Sequence, residues 1–369
     1  MPSSTENNSQ RDKRIYAVAM SGGVDSSVVL GMLQKSGYEV FGITMDIHEN
    51  CIKDIEDARS ICRTLGIQHE VFDVREEYKA KVIDLFADYY SRGLTPNPCA
   101  FCNRDLKLNI LVDYARLKGA DLLATGHYAN LETHNENIIL SEAVNLAKDQ
   151  TYFVSLAPKK KLMHVRFPLG RMNNKNETRA LAAEYGLPNF EKDESQDICF
   201  IRQGNYKEFL KNLKTNLNLF SPGRIRRKDT GKIIGNHTGI ANYTVGQRKG
   251  LGISRNDGSP LYVVDVDAAN NDVLVGDKGA LDMREFYVTE MNWFLEMGDE
   301  FTAFVKLRSF EKKTRASIKK RESCGETANL DSEVIQIELR EESANPVTRG
   351  QVCVAYDEHN NVICAGIIA

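Results

Sequence analysis

The stretch Ile15-Tyr-Ala-Val-Ala-Met-Ser-Gly-Gly-Val-Asp-Ser-Ser27 decides the fold of the first half of this chain. Its first six residues are mostly apolar and predict a short buried strand. The segment Val24–Lys35 has the apolar spacing of a helix and stops at Gly37. Between strand and helix, glycines would let the backbone approach a phosphate, and the N–H groups that open a helix bind anions. The stretch therefore predicts a strand, a phosphate-binding loop and a helix.

The side chains of this loop strengthen the phosphate hypothesis. Ser21, Ser26 and Ser27 add hydroxyl donors, and Asp25 is a candidate ligand for Mg²⁺. A simple helix cap after a glycine turn is the alternative, but two serines after an acid exceed what one cap requires. The Walker A pattern of other nucleotide-binding loops does not occur in the sequence.

Beyond the loop, strand and helix patterns continue to alternate, which predicts an α/β fold with a parallel sheet covered on both faces. Strands are expected at 40–45, 70–74 and 122–125, and helices at Ile52–Leu65, 75–91 and 103–118. Further helical segments are expected at 167–185 and 206–213. After residue 221 short apolar runs separated by glycines replace the helices, including 232–235, 243–246, 261–265 and 273–276. From residue 285 onward the pattern is β throughout, which is typical of small sheets and barrels.

The length of 369 residues exceeds a single ordinary core, so several domains are expected. We predict a disordered tail at 1–14, an α/β catalytic domain at 15–212, a central β-rich domain at 213–281 and a C-terminal β-barrel at 282–369. The N-terminus lacks the apolar core of a signal peptide. The sequence contains no run of 18 apolar residues, so no membrane span is expected. Eight cysteines are too few for a disulfide scaffold, which favours a reducing cytoplasm.

The formal net charge of −3 hides a strong segregation of charge. Residues 1–150 carry a net −6, residues 157–255 a net +12 and residues 256–369 a net −9. A basic middle segment is typical of a protein that binds nucleic acid. The alternative is a solvated basic face, or a segment that pairs with the acidic ends of the same chain.

The cysteines supply the second chemical signal. Cys99 and Cys102 have C-x-x-C spacing just before a predicted helix, and Cys199 lies far along the chain. A cysteine at a helix start has a depressed pKa, which predicts partial thiolate character here. The spacing suits a metal, a disulfide or a persulfide relay, and accidental spacing is the alternative. The other cysteines, at positions 51, 62, 324, 353 and 364, fit packing roles.

The loop Ser-Gly-Gly-Val-Asp-Ser resembles that of the PP-loop ATP pyrophosphatases, which cleave ATP between the α and β phosphates and leave AMP on a substrate oxygen. Six motifs in order make the chain similar to the tRNA-specific 2-thiouridylases, from about Ile15 to the C-terminus. These are 19–26 (AMSGGVDS), 95–98 with 102–103 (TPNP, CN), 124–129 (ATGHYA), 148–153 (KDQTYF), 195–201 (SQDICFI) and 243–253 (YTVGQRKGLGI).

The resemblance implies a PP-loop, Rossmann-like domain and roles for the matching residues. ATP would be contacted by Ala19, Met20, Ser21, Gly22, Gly23, Val24, Asp25, Ser26, Met45 and Gly126. The tRNA would be contacted by Asn97, Pro98, Cys99, Lys148, Asp149 and Gln150. Cys102 would be the nucleophile. Cys199 would carry a persulfide received from a cysteine desulfurase or a sulfur-relay protein. Adenylation of the wobble uridine O2 would precede attack by sulfur, and Cys102 would release the product by forming a disulfide with Cys199.

Two departures from the family pattern matter. Many members have Asp where this chain has Cys99, which favours an alternative in which Cys99, Cys102 and Cys199 hold a 4Fe–4S cluster with one iron open to sulfide. The Arg-Tyr pair expected to contact tRNA is Arg308-Ser309 here, which leaves the second position without its aromatic ring.

His127 follows a strand and Gly126, and it fits either a ligand contact or a packed histidine. The competing function is that of an ammonia-using PP-loop ATP pyrophosphatase acting on a small acid. That chemistry needs no cysteines.

Overall fold

The computed structural model describes residues 14–134, 137–190, 198–201, 205–213, 217–253, 259–321, 333–341 and 346–369. The predicted tail, apart from its last residue, lies outside the described residues, as do Cys324 and the first three residues of the motif at 195–201.

The first half is an α/β domain built on a five-stranded sheet. Its strands, together with a hairpin, are β1 Ile15–Ala19, β2 Glu39–Asp46, β3 His69–Asp73, β4 Leu122–Ala124, β5 Asn130–His134, β6 Asn137–Ser141 and β7 Val165–Arg166. The sheet order is β3-β2-β1-β4-β7, and all its neighbouring strands are parallel. The predicted parallel sheet and its α/β class are confirmed.

Helices cover the sheet. They are α1 Val24–Lys35, α2 Ile52–Leu65, α3 Arg75–Tyr78, α4 Leu85–Ser91, α5 Pro98–Cys102, α6 Leu111–Leu117, α7 Thr151–Val154, α8 Lys159–Leu162, α9 Lys175–Glu184 and α10 Tyr206–Asn212. Single π-helical segments at Lys79–Asp84 and Asn103–Ile110 join α3 to α4 and α5 to α6. Segments of this kind frequently occur at functional sites.

Two helices show why the local sequence suffices in this domain. Helix α1 buries Val28, Val29 and Leu30 against the sheet, so its apolar residues fix its orientation. Helix α2 ends at Gly66, whose φ of +68° is the left-handed conformation that glycine adopts readily at a helix C-terminus. Both helices have the bounds that the sequence predicts.

The second half contains two further sheets. Strands β8 Gly223–Arg227, β9 Ile233–His237, β10 Tyr262–Asp267 and β11 Asp272–Gly276 form a central sheet in the order β10-β11-β8-β9. Strands β12 Glu285–Trp293, β13 Glu300–Lys306, β14 Thr314–Arg321, β15 Val334–Leu339, β16 Val352–Tyr356 and β17 Val362–Ile368 close into a barrel. The predicted β-rich second half with a terminal barrel is therefore confirmed.

The short apolar run at 243–246 is not a strand in the structure. Gly246 has a φ of +89°, and its N–H donates to the Val263 carbonyl. Tyr243 follows a single 3₁₀ turn, Ile240–Asn242, so the backbone bends here rather than extends. The hairpin of β5 and β6 is an element that the sequence analysis missed.

The barrel packs on the α/β domain through buried polar contacts as well as apolar ones. The Tyr152 hydroxyl donates to the Val352 carbonyl at 2.9 Å, and the Thr151 and Tyr356 hydroxyls are 3.0 Å apart. Lys306, from the barrel, is buried with its ammonium 3.4 Å from Asp149 of the α/β domain. These contacts fix the barrel against the segment that follows β6.

Among the described residues, no helix combines the length and the apolar character needed to cross a lipid bilayer.

Candidate active site

The loop that follows β1 lies at the point where the strand order of the parallel sheet reverses. Strand β1 is flanked by β2 on one side and by β4 on the other, so the strand order runs outward from β1 to β3 and then resumes on the other side of β1 at β4. A crevice at the carboxyl ends of such strands is the usual ligand site of open α/β sheets. The predicted phosphate loop occupies this position.

Hydrogen bonds within the loop hold its backbone in place. The Ser26 and Ser27 hydroxyls donate to the Gly23 carbonyl at 3.1 and 2.8 Å. The Ser21 N–H donates to the Ser26 oxygen at 3.3 Å, and the Asn189 amide donates to the Gly22 carbonyl at 3.2 Å. Ser26 and Ser27 are buried, so their hydroxyls shape the loop in addition to any contact with a ligand.

Two glycines are required by space at this loop. Gly22 has a φ of +70°, and a Cβ there would lie 2.8 Å from the Asp54 carbonyl oxygen. Gly126, after β4, has an ordinary φ, but a Cβ there would lie 2.9 Å from the Ser26 nitrogen. The loops after β1 and β4 therefore approach each other as closely as backbone allows.

Asp25 opens α1 beside a cation and a phenol. Its Oδ1 accepts a hydrogen bond from the Tyr128 hydroxyl at 2.9 Å. The same oxygen forms an ion pair with the Lys175 ammonium at 2.5 Å. Lys175 also lies 5.8 Å from the Tyr128 ring centroid. Lys175 was not predicted, and its only sequence signal is its place at the start of α9.

A cavity of about 530 Å³ joins the phosphate loop to the cysteines. Of the predicted residues, Ala19, Met20, Ser21, Asp25, Ser26, Met45, Pro98, Cys99, Cys102, Gly126, Gln150 and Cys199 line it. Gly22, Gly23, Val24, Asn97, Lys148 and Asp149 do not line this cavity, and Arg308 and Ser309 line a separate one of about 320 Å³. The structure thus brings the nucleotide loop and the three thiols into one space.

The three thiols differ in exposure. Cys99 lies in the first turn of α5, after Pro98, and is exposed. Cys102 ends α5 and is only 6% exposed. Cys199, which belongs to the short described segment 198–201, is exposed. Cys51, read from the sequence as a packing residue, is buried and also lines the cavity.

The expectation that the helix start lowers the pKa of Cys99 and Cys102 is wrong. Burial raises the pKa of the Cys102 thiol to about 12 and also raises the pKa of Cys99. The charge of Lys107 opposes this effect at both thiols without overcoming it. Loss of hydration therefore outweighs the helix position, and both thiols are protonated at neutral pH.

Cys199 is the thiol whose pKa is lowered. The surrounding protein alone would raise the pKa of Cys199, but hydrogen bonds from His48 and Tyr78 and the charge of Lys107 outweigh it. The Tyr78 hydroxyl lies 2.9 Å from the Cys199 sulfur. The pKa of His48 is raised to about 10 by its hydrogen bonds to Cys199 and Cys51, so His48 is an imidazolium at neutral pH.

His48 and Tyr78 are functional candidates that the sequence analysis missed. His48 follows β2 by two residues, so its place near the carboxyl end of a strand was a usable signal. Tyr78 lies inside a helix and is fully buried, so its sequence looks like that of any core aromatic.

Lys107 is a further candidate that sequence patterns could not reveal. It lies in the π-helical segment Asn103–Ile110 and lines the cavity. Burial lowers the pKa of Lys107, and the nearby thiols Cys102, Cys199 and Cys99 more than offset this, so its pKa is raised. The cavity therefore holds a permanent positive charge beside its sulfur atoms.

His127 is a neutral member of the cavity wall. Its Nδ1 lies 2.8 Å from the Thr125 hydroxyl, and its ring meets Phe167 edge to face. Burial, followed by the charge of Lys107, lowers the pKa of His127 to about 3. Of the two sequence interpretations, a packed histidine describes its contacts, although it also faces the cavity.

The cysteines do not meet the requirements of a metal centre. Across the ranges that the structure describes, no three His, Cys, Asp or Glu side chains are grouped as metal ligands. The Cys199 sulfur is turned toward Tyr78 and His48. Among the described residues, the three thiols are therefore not arranged as the ligands of an iron–sulfur cluster.

The residues predicted to contact tRNA serve mainly as supports in this structure. The Asn97 side chain caps α5 by accepting from the Ala100 N–H at 3.1 Å. Asp149 is buried and accepts from the Thr151 hydroxyl at 2.7 Å, beside Lys306. The Gln150 side chain accepts from the Tyr128 N–H. Any tRNA contact of the segment Lys148–Gln150 therefore does not come from the Asp149 carboxylate.

Arg308 and Ser309 lie in the turn after β13 and not in a strand. The Arg308 guanidinium donates to the Thr348 hydroxyl at 2.8 Å. Both residues border the smaller cavity together with Thr95 and Thr244, at the junction of the three sheets.

The sheet, its loop and the thiol-lined cavity define a PP-loop nucleotide-binding protein with two β domains added. Comparisons with protein families agree along the whole chain. Residues 14–203 match the "tRNA methyl transferase HUP domain", residues 207–277 the "tRNA methyl transferase PRC-barrel domain" and residues 283–368 the "Aminomethyltransferase beta-barrel domain".

Curated relatives identify the family more narrowly. The tRNA-specific 2-thiouridylase of Rickettsia bellii is 39% identical over 95% of this chain and 95% of its own length. That of Agrobacterium fabrum is 40% identical over 94% of this chain and 88% of its own length. Among solved structures, the NH3-dependent NAD synthetase of Campylobacter jejuni matches 51% of this chain and 72% of its own, with 21% identity and a TM-score of 0.33. The chain belongs to the tRNA-specific 2-thiouridylase family.

Proposed function

We infer that this protein is an ATP-dependent sulfurtransferase that replaces the C2 oxygen of a tRNA wobble uridine with sulfur. The observation that carries this inference is the single cavity that contains both the phosphate loop and Cys99, Cys102 and Cys199. An activated uridine and a sulfur atom must meet in one place, and this cavity supplies a site for each.

The nucleotide end of the cavity would bind ATP. We propose that the loop 19–26 takes the phosphates, because it opens α1, where the first backbone N–H groups lack intrahelical partners, and because its buried serines hold the Gly23 carbonyl. Met45 and Gly126 lie on the flanking strand ends and would border the nucleotide. Mg²⁺ would accompany ATP and offset the charge of its phosphates. Asp25 is a carboxylate of the phosphate loop that lines the cavity, and its Oδ1 is already shared by Tyr128 and Lys175.

The first chemical step would activate the uridine. The O2 of the uridine attacks the α-phosphate of ATP, pyrophosphate leaves, and O2 carries AMP as a leaving group. The neutral His127 and the cationic Lys107 face this part of the cavity. Lys107 would stabilise negative charge that develops there.

The second step would transfer sulfur through a persulfide on Cys199, and Cys102 would act as the nucleophile that frees the product. The terminal sulfur of the persulfide attacks C2, AMP leaves, and C2 is joined to Cys199 through a disulfide. Cys102 then attacks the Cys199 sulfur, which gives a Cys102–Cys199 disulfide and 2-thiouridine. This route is favoured over the iron–sulfur alternative, because His48 and Tyr78 stabilise a Cys199 thiolate and the described thiols are not grouped as metal ligands.

A cysteine desulfurase or a sulfur-relay protein would load Cys199, whose exposure leaves its sulfur reachable. The cytoplasm, where tRNA and such donors are found, is the proposed compartment. We propose domain limits at 15–212, 213–281 and 282–369, preceded by a tail at 1–14.

Basic side chains of the middle segment would hold the tRNA backbone. Lys228, Arg248, Lys249 and Lys160 are exposed, and Arg224 is exposed although its guanidinium pairs with Asp272 at 3.1 Å. By contrast, Lys159 donates to the Phe294 carbonyl, and Lys161 pairs with Asp113. Contacts to phosphates position an RNA without reading its sequence. To reach the thiols the uridine must leave its stack, as in enzymes that flip a base into a pocket. Asn97–Cys99 at the cavity edge and the Arg308–Ser309 turn would then border the bound tRNA.

The test is release of pyrophosphate by the purified full chain with ATP, Mg²⁺ and unmodified tRNA. We expect release only when tRNA carrying the wobble uridine is present. A tRNA with cytidine at the wobble position is the matched control. Release with ammonia and a small acid in the absence of tRNA would contradict the proposal and support the ammonia-using alternative.

A further inference from the structure

The C-x-x-C pair at the start of α5 has a geometry that the proposed thiolation does not use. Cys99 is exposed in the first turn of the helix, and Cys102 is buried three residues later. Residues three apart on a helix have Cβ atoms about 5–6 Å apart. Disulfides require Cβ atoms about 3.5–4.5 Å apart, so a shift of about 1–2 Å within this turn of α5 would allow a bond.

The three thiols are close enough to influence one another. Cys99 and Cys102 interact electrostatically, and each interacts with Cys199 and with the ammonium of Lys107. All three line the same cavity. The three thiols therefore border one space, and exchange among them needs movement of their side chains within it.

The proposed function leaves the enzyme oxidised after each turnover. The Cys102–Cys199 disulfide blocks both the nucleophile and the sulfur carrier, and one of its sulfurs is buried. A new persulfide cannot form on Cys199 until that bond is broken. Another thiol must therefore break the Cys102–Cys199 disulfide and release Cys199.

We propose that Cys99 is the resolving thiol of this enzyme, an inference that depends on the proposed function. Cys99 loses its proton to solvent and attacks the Cys102 sulfur of the Cys102–Cys199 disulfide. A Cys99–Cys102 disulfide forms, the Cys102–Cys199 bond breaks, and Cys199 leaves as a thiolate. No net oxidation occurs in this exchange.

The leaving group supports this direction of exchange. Cys199 departs as the sulfur that accepts a hydrogen bond from the Tyr78 hydroxyl at 2.9 Å and one from His48. Thiol–disulfide exchange is faster when the leaving thiolate is stabilised. Cys199 is then free to accept sulfur from a donor again.

The cycle closes with a dithiol protein reductant of the thioredoxin type. Its thiolate attacks the exposed Cys99 sulfur, Cys102 leaves as a thiolate, and the second thiol of the reductant completes the reduction. Two electrons and two protons pass from the reductant to the Cys99–Cys102 pair. The exposed position of Cys99 makes it the accessible sulfur of that disulfide.

The experiment is a single turnover of the full chain, preloaded with persulfide, with ATP and tRNA and without reductant. Free thiols are then alkylated in acid, and disulfides are mapped by mass spectrometry. We expect a Cys99–Cys102 disulfide with Cys199 alkylated. In Cys99→Ser, and equally in Cys99→Ala, we expect the Cys102–Cys199 disulfide to accumulate instead.

Cys51→Ser is the matched control, because Cys51 is another cavity thiol and contacts His48 at 3.6 Å. It should retain the Cys99–Cys102 disulfide. A wild-type enzyme that ends in Cys102–Cys199 or in a Cys51–Cys199 bond would overturn the inference.

Steady-state rates give an independent readout. With a dithiol protein as reductant, the ratio of steady-state to first-turnover rate should fall at least about tenfold in Cys99→Ser. An unchanged ratio would overturn the inference. Absence of 2-thiouridine in the first wild-type turnover would instead refute the proposed function, so the two failures are distinguishable.

Discussion

The Tyr78 hydroxyl lies 2.9 Å from the Cys199 sulfur, although 121 residues separate them in the chain. Tyr78 ends a helix that follows β3, and Cys199 belongs to the segment that leads toward α10. His48, from the loop after β2, completes the contact. The thiol proposed to carry sulfur is thus held by two elements of the nucleotide-binding domain.

This contact predicts the reactivity of Cys199. Tyr78→Phe and His48→Gln each remove a hydrogen bond that lowers the pKa of Cys199, so its thiolate fraction at neutral pH should fall. We expect alkylation of Cys199 by iodoacetamide at pH 7 to slow by about threefold or more in each variant. The rate measured against pH should show its midpoint moved upward. Tyr114→Phe is the control, because Tyr114 donates to Glu70 and is not a cavity residue. Equal rates in all variants would contradict the assignment.

The close approach of Gly126 predicts its role in ATP binding. In Gly126→Ala the new Cβ would lie 2.9 Å from the Ser26 nitrogen and push the phosphate loop out of position. We expect ATP affinity, measured by calorimetry, to fall by about tenfold or more, which corresponds to about 1.4 kcal/mol. Gly279→Ala is the matched control, since a Cβ there meets no atom within 4 Å. Wild-type affinity in Gly126→Ala would show that the loop tolerates the displacement.

The buried pair of Lys306 and Asp149 predicts a large effect on stability. Lys306→Met leaves Asp149 without its cation in a site where neither side chain is more than 8% exposed. Loss of one partner of a buried ion pair costs about 3–5 kcal/mol. The measurement is urea unfolding followed by tyrosine fluorescence.

Lys319→Met is the comparison for that variant. Lys319 forms an exposed pair with Glu300 at 3.0 Å, and its loss should cost about 1 kcal/mol or less. Similar unfolding midpoints for the two variants would mean that the buried pair adds nothing to the attachment of the barrel.

The pKa of His127 predicts a pH dependence of stability. The pKa is about 3 in the folded protein and 6.5 for an ordinary histidine, so the unfolded chain binds a proton that the folded chain excludes. The stabilising effect is fully present above pH 6.5 and is lost progressively as the pH falls toward 3. His127→Asn should unfold with a weaker dependence on pH between 7 and 5 than wild type. If the free energy of unfolding varies with pH in the same way in both proteins, a group other than His127 is responsible for the pH dependence.

The sequence predicts the nucleotide-binding half of the fold closely because its signals there are local. Helix α1 follows from apolar spacing and α2 from a glycine stop, and both have the predicted bounds. The turn at 243–246 is less evident from the sequence, because the left-handed backbone at Gly246 is accompanied by a contact with Val263 in another part of the chain.

The residues of the site also divide into those that local sequence signals predict and those whose state depends on long-range contacts. The cavity contains most of the residues predicted to contact ATP and all three predicted thiols. The state of those thiols could not be predicted, because it depends on burial at Cys102 and on His48 and Tyr78 beside Cys199. The burial of Asp149 depends on Lys306, which lies 157 residues away. Such long-range contacts leave no mark in the spacing of a sequence.

The central claim is tested most directly by the amount of 2-thiouridine formed per AMP released. The purified chain is incubated with unmodified tRNA, ATP, Mg²⁺ and a cysteine desulfurase with cysteine. Nucleosides are then quantified by mass spectrometry. We expect one 2-thiouridine at the wobble position for each AMP released. We expect no 2-thiouridine from Cys102→Ser or Cys199→Ser. AMP release without modified uridine, or full product from either variant, would contradict the central claim.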